Sequence, residues 1–350
     1  MIRARKQVLL ATGAGPELGL GHLTRCSALA AQLRKRDLEC WLVGAPVKSD
    51  FSSSLPPRRI EAGLVWDRTR ADLGRFEKLL ASQSWGGVVV DHPNAGFEYQ
   101  KLVLETKTPW LQFDCESGSD LLANLVVNAN PGCEEQREMR PEQRLLLGPQ
   151  FAILRPEFSL ARAKRKEGMG LHLAISFGGG DDRGAMDLAL QALVEILPLG
   201  LTVTIIAGPA HPGIPLLRDR VKRISGRSVS LEVNPPSVSD LLSQADLVLL
   251  AGGTMTFEAA ALGLPMALIA IAGNQVKQSQ GWERLGAANF LGEVEALTGE
   301  AVAASLQELI DDQPRRRAMS EVGSVSCDGN GGARVADAFL KLISQHREKT

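Results

Sequence analysis

At 350 residues the chain is long enough for roughly two domains. A hydrophobic content of 44% excludes an intrinsically disordered chain, and 39 Lys+Arg balanced by 40 Asp+Glu exclude a general nucleic-acid binder. The 35 glycines exceed the average share and point to several tight, backbone-exposing loops.

In chain order, a first series of apolar runs predicts strands at Gln7–Ala11, Glu39–Val43, Gly87–Val90 and Trp110–Phe113, with a shorter one at Leu125–Val127. A second series predicts strands at Leu171–Ser176, Thr202–Ile206, Ser230–Val233, Leu247–Leu250 and Met266–Ile271. The runs are rich in Val, Ile and Leu and little alternated, which suits parallel strands covered on both faces. Helical patterns lie between them, so right-handed βαβ units are expected. Gly148–Pro149, Arg155–Pro156 and the charged stretch Arg162–Glu167, read as a solvated linker, separate the two series. The fold class is therefore α/β with two Rossmann-like domains. The boundaries drawn are 1–158 for the first domain, 168–330 for the second and 331–350 for a C-terminal helix that packs back on the first domain. Two such open sheets are expected to bind a ligand at the carboxyl ends of their strands, in a cleft between them.

The five cysteines, Cys26, Cys40, Cys115, Cys133 and Cys327, are odd in number and form no C-x-x-C pair. That rules out a disulfide framework and a zinc ribbon, and leaves buried thiols in a reducing compartment. No run of 18 apolar residues exists, and the basic N-terminus passes straight into a strand and a glycine-rich turn. The reading is a cytoplasmic protein with no transmembrane segment.

Three glycine-rich turns carry the candidate chemistry. The first runs from Gly13 to His22 and includes Gly19 and Gly21; it enters a helix whose apolar face is Leu23, Cys26, Leu29, Ala30 and Leu33. His22 and Arg25 share one side of its first turn, where backbone amides suit an anion or a sugar oxygen. The spacing is not that of a dinucleotide fingerprint, and no acidic residue follows Val43–Gly44 to hold a ribose. The second turn is Ser176-Phe-Gly-Gly-Gly-Asp-Asp182, in which Gly178, Gly179 and Gly180 allow close backbone approach. The third is Leu250 to Glu258, where Gly252, Gly253 and Thr254 form a phosphate nest and Glu258 reaches a ribose. Asp91–His92, Asp114, Asn128, Asn130 and Asn274–Gln275 sit at strand ends. A Walker loop, a G-x-S-x-G elbow and any metal-ligand spacing are missing from the sequence.

Together, Gly19-x-Gly21-His22-x-x-Arg25, the V-V-V-D-H of 88–92, Leu147 to Phe158, Ser176 to Asp181, Ala207-Gly-Pro-Ala-His-Pro212, and Ala251 to Glu258 with Gly273-Asn-Gln275 resemble a known family. They look like the pseudaminic-acid-pathway UDP-sugar hydrolases and the related spore-coat polysaccharide proteins. That family is similar to the peptidoglycan N-acetylglucosaminyl transferase and has the GT-B glycosyltransferase fold. The resemblance spans about residues 8 to 290. It implies a UDP-sugar as the small-molecule partner, no metal, no cofactor and peripheral contact with glycan-assembly enzymes. It makes His22 the general base beside Arg25 and Asp91. Gly178, Gly179, Gly180, Gly252, Gly253, Thr254 and Glu258 would hold the nucleotide, with Gly19, Gly21, Asn274 and Gln275 facing the sugar. Two positions depart from the family: Gly13 stands where it has an aspartate, and Pro93 where its hydrolases carry a tyrosine. Release of a free deoxy-diacetamido sugar and UDP is the favoured reaction; a glycosyltransferase and an inactive nucleotide-sugar binder are the alternatives.

Overall fold

The computed structural model describes residues 6–13, 21–44, 57–114, 120–133, 140, 142–164, 171–195, 201–224 and 228–349. The chain divides into two compact units. The first holds 1–129, 133–155 and 330–350; the second holds 130–132 and 156–329.

The first unit contains β1 (Gln7–Thr12), α1 (Gly21–Arg34), β2 (Glu39–Val43), β3 (Arg58–Ile60), α2 (Arg70–Ala81), β4 (Gly87–Asp91), α3 (Phe97–Glu105), β5 (Trp110–Phe113), β6 (Leu125–Asn128) and β7 (Arg144–Leu147). All pair in parallel, in the order β3-β2-β1-β4-β5-β6-β7. Strands buried on both faces need continuous apolar sequence, and β1, β4, β5 and β6 provide it. One face packs on α1, through Leu23, Cys26, Leu29 and Leu33, and on the C-terminal helix at Gly331–Lys349, through Val335, Phe339 and Ile343. That helix comes so close to β4 that a Cβ on Gly87 would lie 2.8 Å from the Phe339 ring. The opposite face packs on α2 and α3 through Phe76, Tyr99 and Val103, with Trp66 and Trp85 from the connecting segments. Asp72 in the first turn of α2 is fully buried; it accepts the Val65 and Trp66 amides and the Tyr99 hydroxyl.

The second unit contains α4 (Pro156–Lys164), β8 (His172–Ser176), α5 (Ala185–Glu195), β9 (Thr202–Ala207), α6 (Ile214–Arg223), β10 (Ser228–Val233), α7 (Val238–Leu242), β11 (Leu247–Ala251), α8 (Met255–Leu262), β12 (Met266–Ala270), α9 (Gly273–Leu285), β13 (Ala288–Glu293), α10 (Gly299–Asp311) and α11 (Gln313–Ser326). The C-terminal helix of the first unit is thus α12. Its parallel sheet has the order β10-β9-β8-β11-β12-β13. Leu173, Ile175, Val203, Ile205, Leu247, Leu249, Ala267 and Ile269 form a core with α5 and α10. Helix α8 packs against α4 and α11.

Both sheets reverse their order of addition beside the first strand of the unit, between β1 and β4 and between β8 and β11. At such a switch point the loops leaving the two strands diverge to opposite faces and open a crevice at the carboxyl ends.

Several expectations need correction. Arg162 to Lys164 are the last residues of α4, not a linker; residues 165–167 of that stretch lie outside the described residues. The structure adds strands β3, β7 and β13 to those expected. Strand β12 ends at Ala270 rather than at Ile271. Cys26, Cys40, Cys133 and Cys327 are buried thiols outside any disulfide, as expected; Cys115 lies outside the described residues. Burial pushes the Cys40 thiol up to about 12, consistent with a packing role.

Candidate active site and nucleotide cradle

In the first unit, β1 and β4 end in register, Thr12 opposite Asp91. Helix α1 starts at Gly21, so His22 and Arg25 occupy its first turn above those strand ends. The structure brings His22, Arg25 and Asp91 together. His22 Nδ1 lies 2.7 Å from Asp91 Oδ1. Arg25 Nε donates to Asp91 Oδ2 at 2.5 Å, and its Nη2 donates to Oδ1. The fork of Arg25 thus grips the carboxylate bidentately, and its guanidinium lies 4.5 Å over the Phe113 ring at the end of β5. Asp91 is wholly buried while His22 is 18% exposed and Arg25 31%. Burial alone would raise the Asp91 carboxyl, but Arg25 and His22 outweigh it and hold the group well below the usual carboxylate range.

The ionised Asp91 fixes the tautomer of His22. A lone pair on Nδ1 facing a carboxylate at 2.7 Å would repel it, so Nδ1 carries the proton and donates to Asp91. Arg25 Nη2, also 3.1 Å from Nδ1, is satisfied by the carboxylate. Nε2 is then the basic nitrogen, and any positive charge gained there is stabilised by Asp91. Asp114, the other carboxylate at a strand end, accepts from the Asn128 carboxamide at 3.0 Å. Gly19 lies outside the described residues, and Gly21 is the first residue of α1. Gly13, which follows β1, is buried.

In the second unit the turns at the carboxyl ends present backbone. Gly178, Gly179 and Gly180 follow β8 and are exposed, with open space where each Cβ would be. Gly178 has φ +100°, a conformation that glycine alone adopts readily. The next turn comes up against them: a Cβ on Gly208 would lie 2.2 Å from Gly179 Cα. Asp182 and His211 staple the two turns. His211 Nδ1 accepts the Gly213 amide at 3.0 Å, so its proton is on Nε2, which donates to Asp182 Oδ2 at 2.9 Å. Asp182 Oδ1 in turn accepts the Gly184 amide at 3.0 Å. Both residues lie in motifs legible in the sequence, but their spatial pairing needs the adjacency of β8 and β9, which no local pattern contains.

After β11, Gly252 lies against α9, where a Cβ would meet Ser279 Oγ at 2.2 Å. Thr254 precedes α8 and makes no side-chain cap; Ala272 precedes α9 and makes none either. Both helix starts therefore keep amide donors and the positive end of the dipole at the same edge of the sheet. Glu258 is buried in the first turn of α8. Thr256 points inward: its hydroxyl donates to Gly253 O and accepts from Gln278 and Trp282. Asn274 is exposed in the first turn of α9, whereas Gln275 Oε1 accepts the Ile271 amide at 3.0 Å and so ties that turn together. Among the described residues no group of three His, Cys, Asp or Glu side chains has metal-site geometry. No described helix is long and apolar enough to cross a membrane.

No protein-family model matches the chain. It is 24% identical over 341 residues to the spore coat polysaccharide biosynthesis protein SpsG of Bacillus subtilis (strain 168), covering 95% of this chain and 97% of that protein. Among solved structures it is similar to MurG of Acinetobacter baumannii, with a TM-score of 0.69 and 15% identity over 96% of this chain and 99% of that one. It is also similar to the UDP co-structure of S. aureus MnaA, with a TM-score of 0.64 and 13% identity over 97% of this chain and 98% of that one. The two-sheet architecture is thus the GT-B fold, and the resemblance carried by the motifs to the spore-coat polysaccharide proteins is borne out.

Proposed function

We propose that this chain, a relative of the spore-coat polysaccharide biosynthesis proteins built on the GT-B fold, is an enzyme that hydrolyses a UDP-activated deoxy-diacetamido sugar for surface-glycan biosynthesis. The observation that carries this reading is the anchoring of His22 Nδ1–H on the buried carboxylate of Asp91, which makes Nε2 a directed base at the switch point of the first sheet. His22 Nε2 takes a proton from water as the water oxygen bonds to the anomeric carbon. The bond between that carbon and the diphosphate oxygen breaks, and UDP leaves with the electron pair. Asp91 stabilises the imidazolium, and Arg25 keeps Asp91 ionised and in place.

The second unit supplies the nucleotide site in this reading. The exposed backbone of Gly178, Gly179 and Gly180 and the starts of α8 and α9, at Thr254 and Asn274, offer amide donors to the diphosphate without requiring a cation, while Gly252 and Gly253, whose amides donate to Ile269 O and Ala251 O, shape the turn beside it. Glu258 accepts from the ribose hydroxyls, and Asn274 with Gln275 borders the sugar. A neighbour of the same fold, MnaA of S. aureus, is solved with UDP, which supports a UDP-type ligand in this reading.

A glycosyltransferase reading shares every one of these parts, with an acceptor hydroxyl in place of water, and is favoured by Pro93 standing where the hydrolases carry tyrosine. One assay separates them. A panel of UDP-sugars is incubated in excess EDTA and ¹⁸O-water, with and without an acceptor glycan. Hydrolysis puts label on C1 of the released sugar without any acceptor. Label in UDP means attack at phosphorus, and UDP release only with acceptor means a transferase.

A further inference from the structure

His92 is a buried histidine that the proposed reaction does not use. It follows Asp91 at the end of β4, where alternating side chains point to opposite faces. Val88 and Val90 face α2 and α3, and Val89 faces α1. His92 continues the α2–α3 side and stacks flat on Trp66, centroids 4.8 Å apart and planes 9° apart. His22 and His92 thus come to the end of β4 from opposite faces of the sheet.

The ring of His92 is fixed at every point but one. Its Nδ1 accepts the Asn94 amide at 3.0 Å, so the proton is on Nε2. Nε2 makes no hydrogen bond among the described residues, and the residue is 9% exposed. Trp66, the plate behind the ring, has φ +60°, a strained conformation for a bulky residue; Arg68 has φ +61°. The strain is held by several bonds at once. The Trp66 amide donates to Asp72 Oδ2 at 3.0 Å, its indole Nε1 donates to Thr12 O at 3.0 Å, and its carbonyl accepts from Asn94 Nδ2 at 3.2 Å. Thr12 is the last residue of β1, so the plate is tied to the crevice itself. Burial, reinforced by His22 and opposed by Asp91 and Asp72, pushes the His92 imidazole down to about 4, which leaves it uncharged at neutral pH.

We propose that His92 is a specificity-determining residue whose Nε2–H is a fixed, uncharged hydrogen-bond donor to a neutral oxygen of the sugar. An anionic diphosphate is best met by cations and helix starts, and the second unit has those starts. A donor built to stay neutral discriminates by what is left unpaired when a neutral acceptor is missing. The proposal rests on the UDP-sugar reading.

Calorimetry with UDP and with UDP-N-acetylglucosamine tests it on the wild type, His92→Phe and His92→Gln. His92→Phe keeps an aromatic ring on Trp66 and removes the donor; His92→Gln restores an N–H. The expected result is a loss of about five- to fiftyfold in UDP-N-acetylglucosamine affinity for His92→Phe, partly recovered in His92→Gln, with UDP affinity unchanged in both. A two-dimensional ¹⁵N spectrum of the wild type should show the Nε2–H tautomer of His92, shifted by UDP-N-acetylglucosamine and not by UDP. Unchanged sugar-nucleotide affinity in His92→Phe, or equal loss for UDP, overturns the role of His92 alone. Failure of the wild type to bind UDP overturns the UDP-sugar reading beneath it.

Discussion

The two units share one strand order around their switch points but fill those crevices differently. The first places a buried carboxylate, a histidine and an arginine there; the second places glycine backbone and helix starts, braced by Asp182 and His211. Topology supplies the crevice in both cases, and sequence decides whether side-chain charge or main-chain N–H groups face it. Asp91, Asp72 and His92, whose protonation is clearly displaced, all belong to the first unit. A reaction that moves a proton uses such groups, whereas binding a diphosphate uses fixed dipoles.

The sharpest way to break this contrast is at His22. His22→Ala is expected to lower kcat by on the order of 10²–10⁴ while calorimetric UDP affinity holds, because in the proposed reaction the variant touches only the unit that moves the proton. Full turnover in His22→Ala would return the base to Asp91 or Asp114.

Acid should weaken the first unit in two stages. His92 is neutral in the fold, so its contribution is complete above the unfolded value near 6.5 and is lost as pH falls toward about 4. Asp91 and Asp72 are held ionised in the fold, so their contributions are complete above about 4 and are lost below it. The first stage is worth about 2–3 kcal/mol. In a Trp282→Phe background every remaining tryptophan, Trp41, Trp66, Trp85 and Trp110, lies in the first unit. Urea unfolding followed by fluorescence between pH 7.5 and 4.5 then reads it; His92→Phe should flatten that stage, and an unchanged slope would refute the assignment.

On the binding side, Glu258→Ala should remove charge-assisted hydrogen bonds worth roughly 1.5–3 kcal/mol and weaken UDP about tenfold or more, with kcat at saturation nearly kept. Unaltered UDP binding would remove Glu258 from the nucleotide site. The smallest effect is expected for His211→Phe, which unstaples the glycine turn from its neighbour without touching ligand. A two- to fivefold loss of UDP affinity should result, at about 1 kcal/mol for one hydrogen bond.

The inner strands were legible because a strand covered on both faces must be continuously apolar, and Gly87–Asp91 or Leu247–Ala251 could be little else. The strands that the sequence hid are all edges. Arg58–Ile60 is largely exposed, Arg144–Leu147 is half so, and Ala288–Glu293 carries a register break and Gly292 at φ +130°. One neighbour and one wet face relax the composition an edge needs, so pattern fades there. His22 and Arg25 were predicted on one side of a helix start because their spacing is local.

Local sequence therefore determined the glycine turns, the inner strands and the residue types at their ends. Tertiary structure decided which of those ends meet. Asp91 lies 69 positions from His22, Trp66 lies 26 from His92, and Asp182 lies 29 from His211. Each pair is joined by parallel strand pairing or by helix packing across a sheet, contacts whose partners are far apart in the chain. A histidine's tautomer, a carboxylate's charge and a tryptophan's strain follow from those contacts, because burial and hydrogen bonding act through space and not along the sequence.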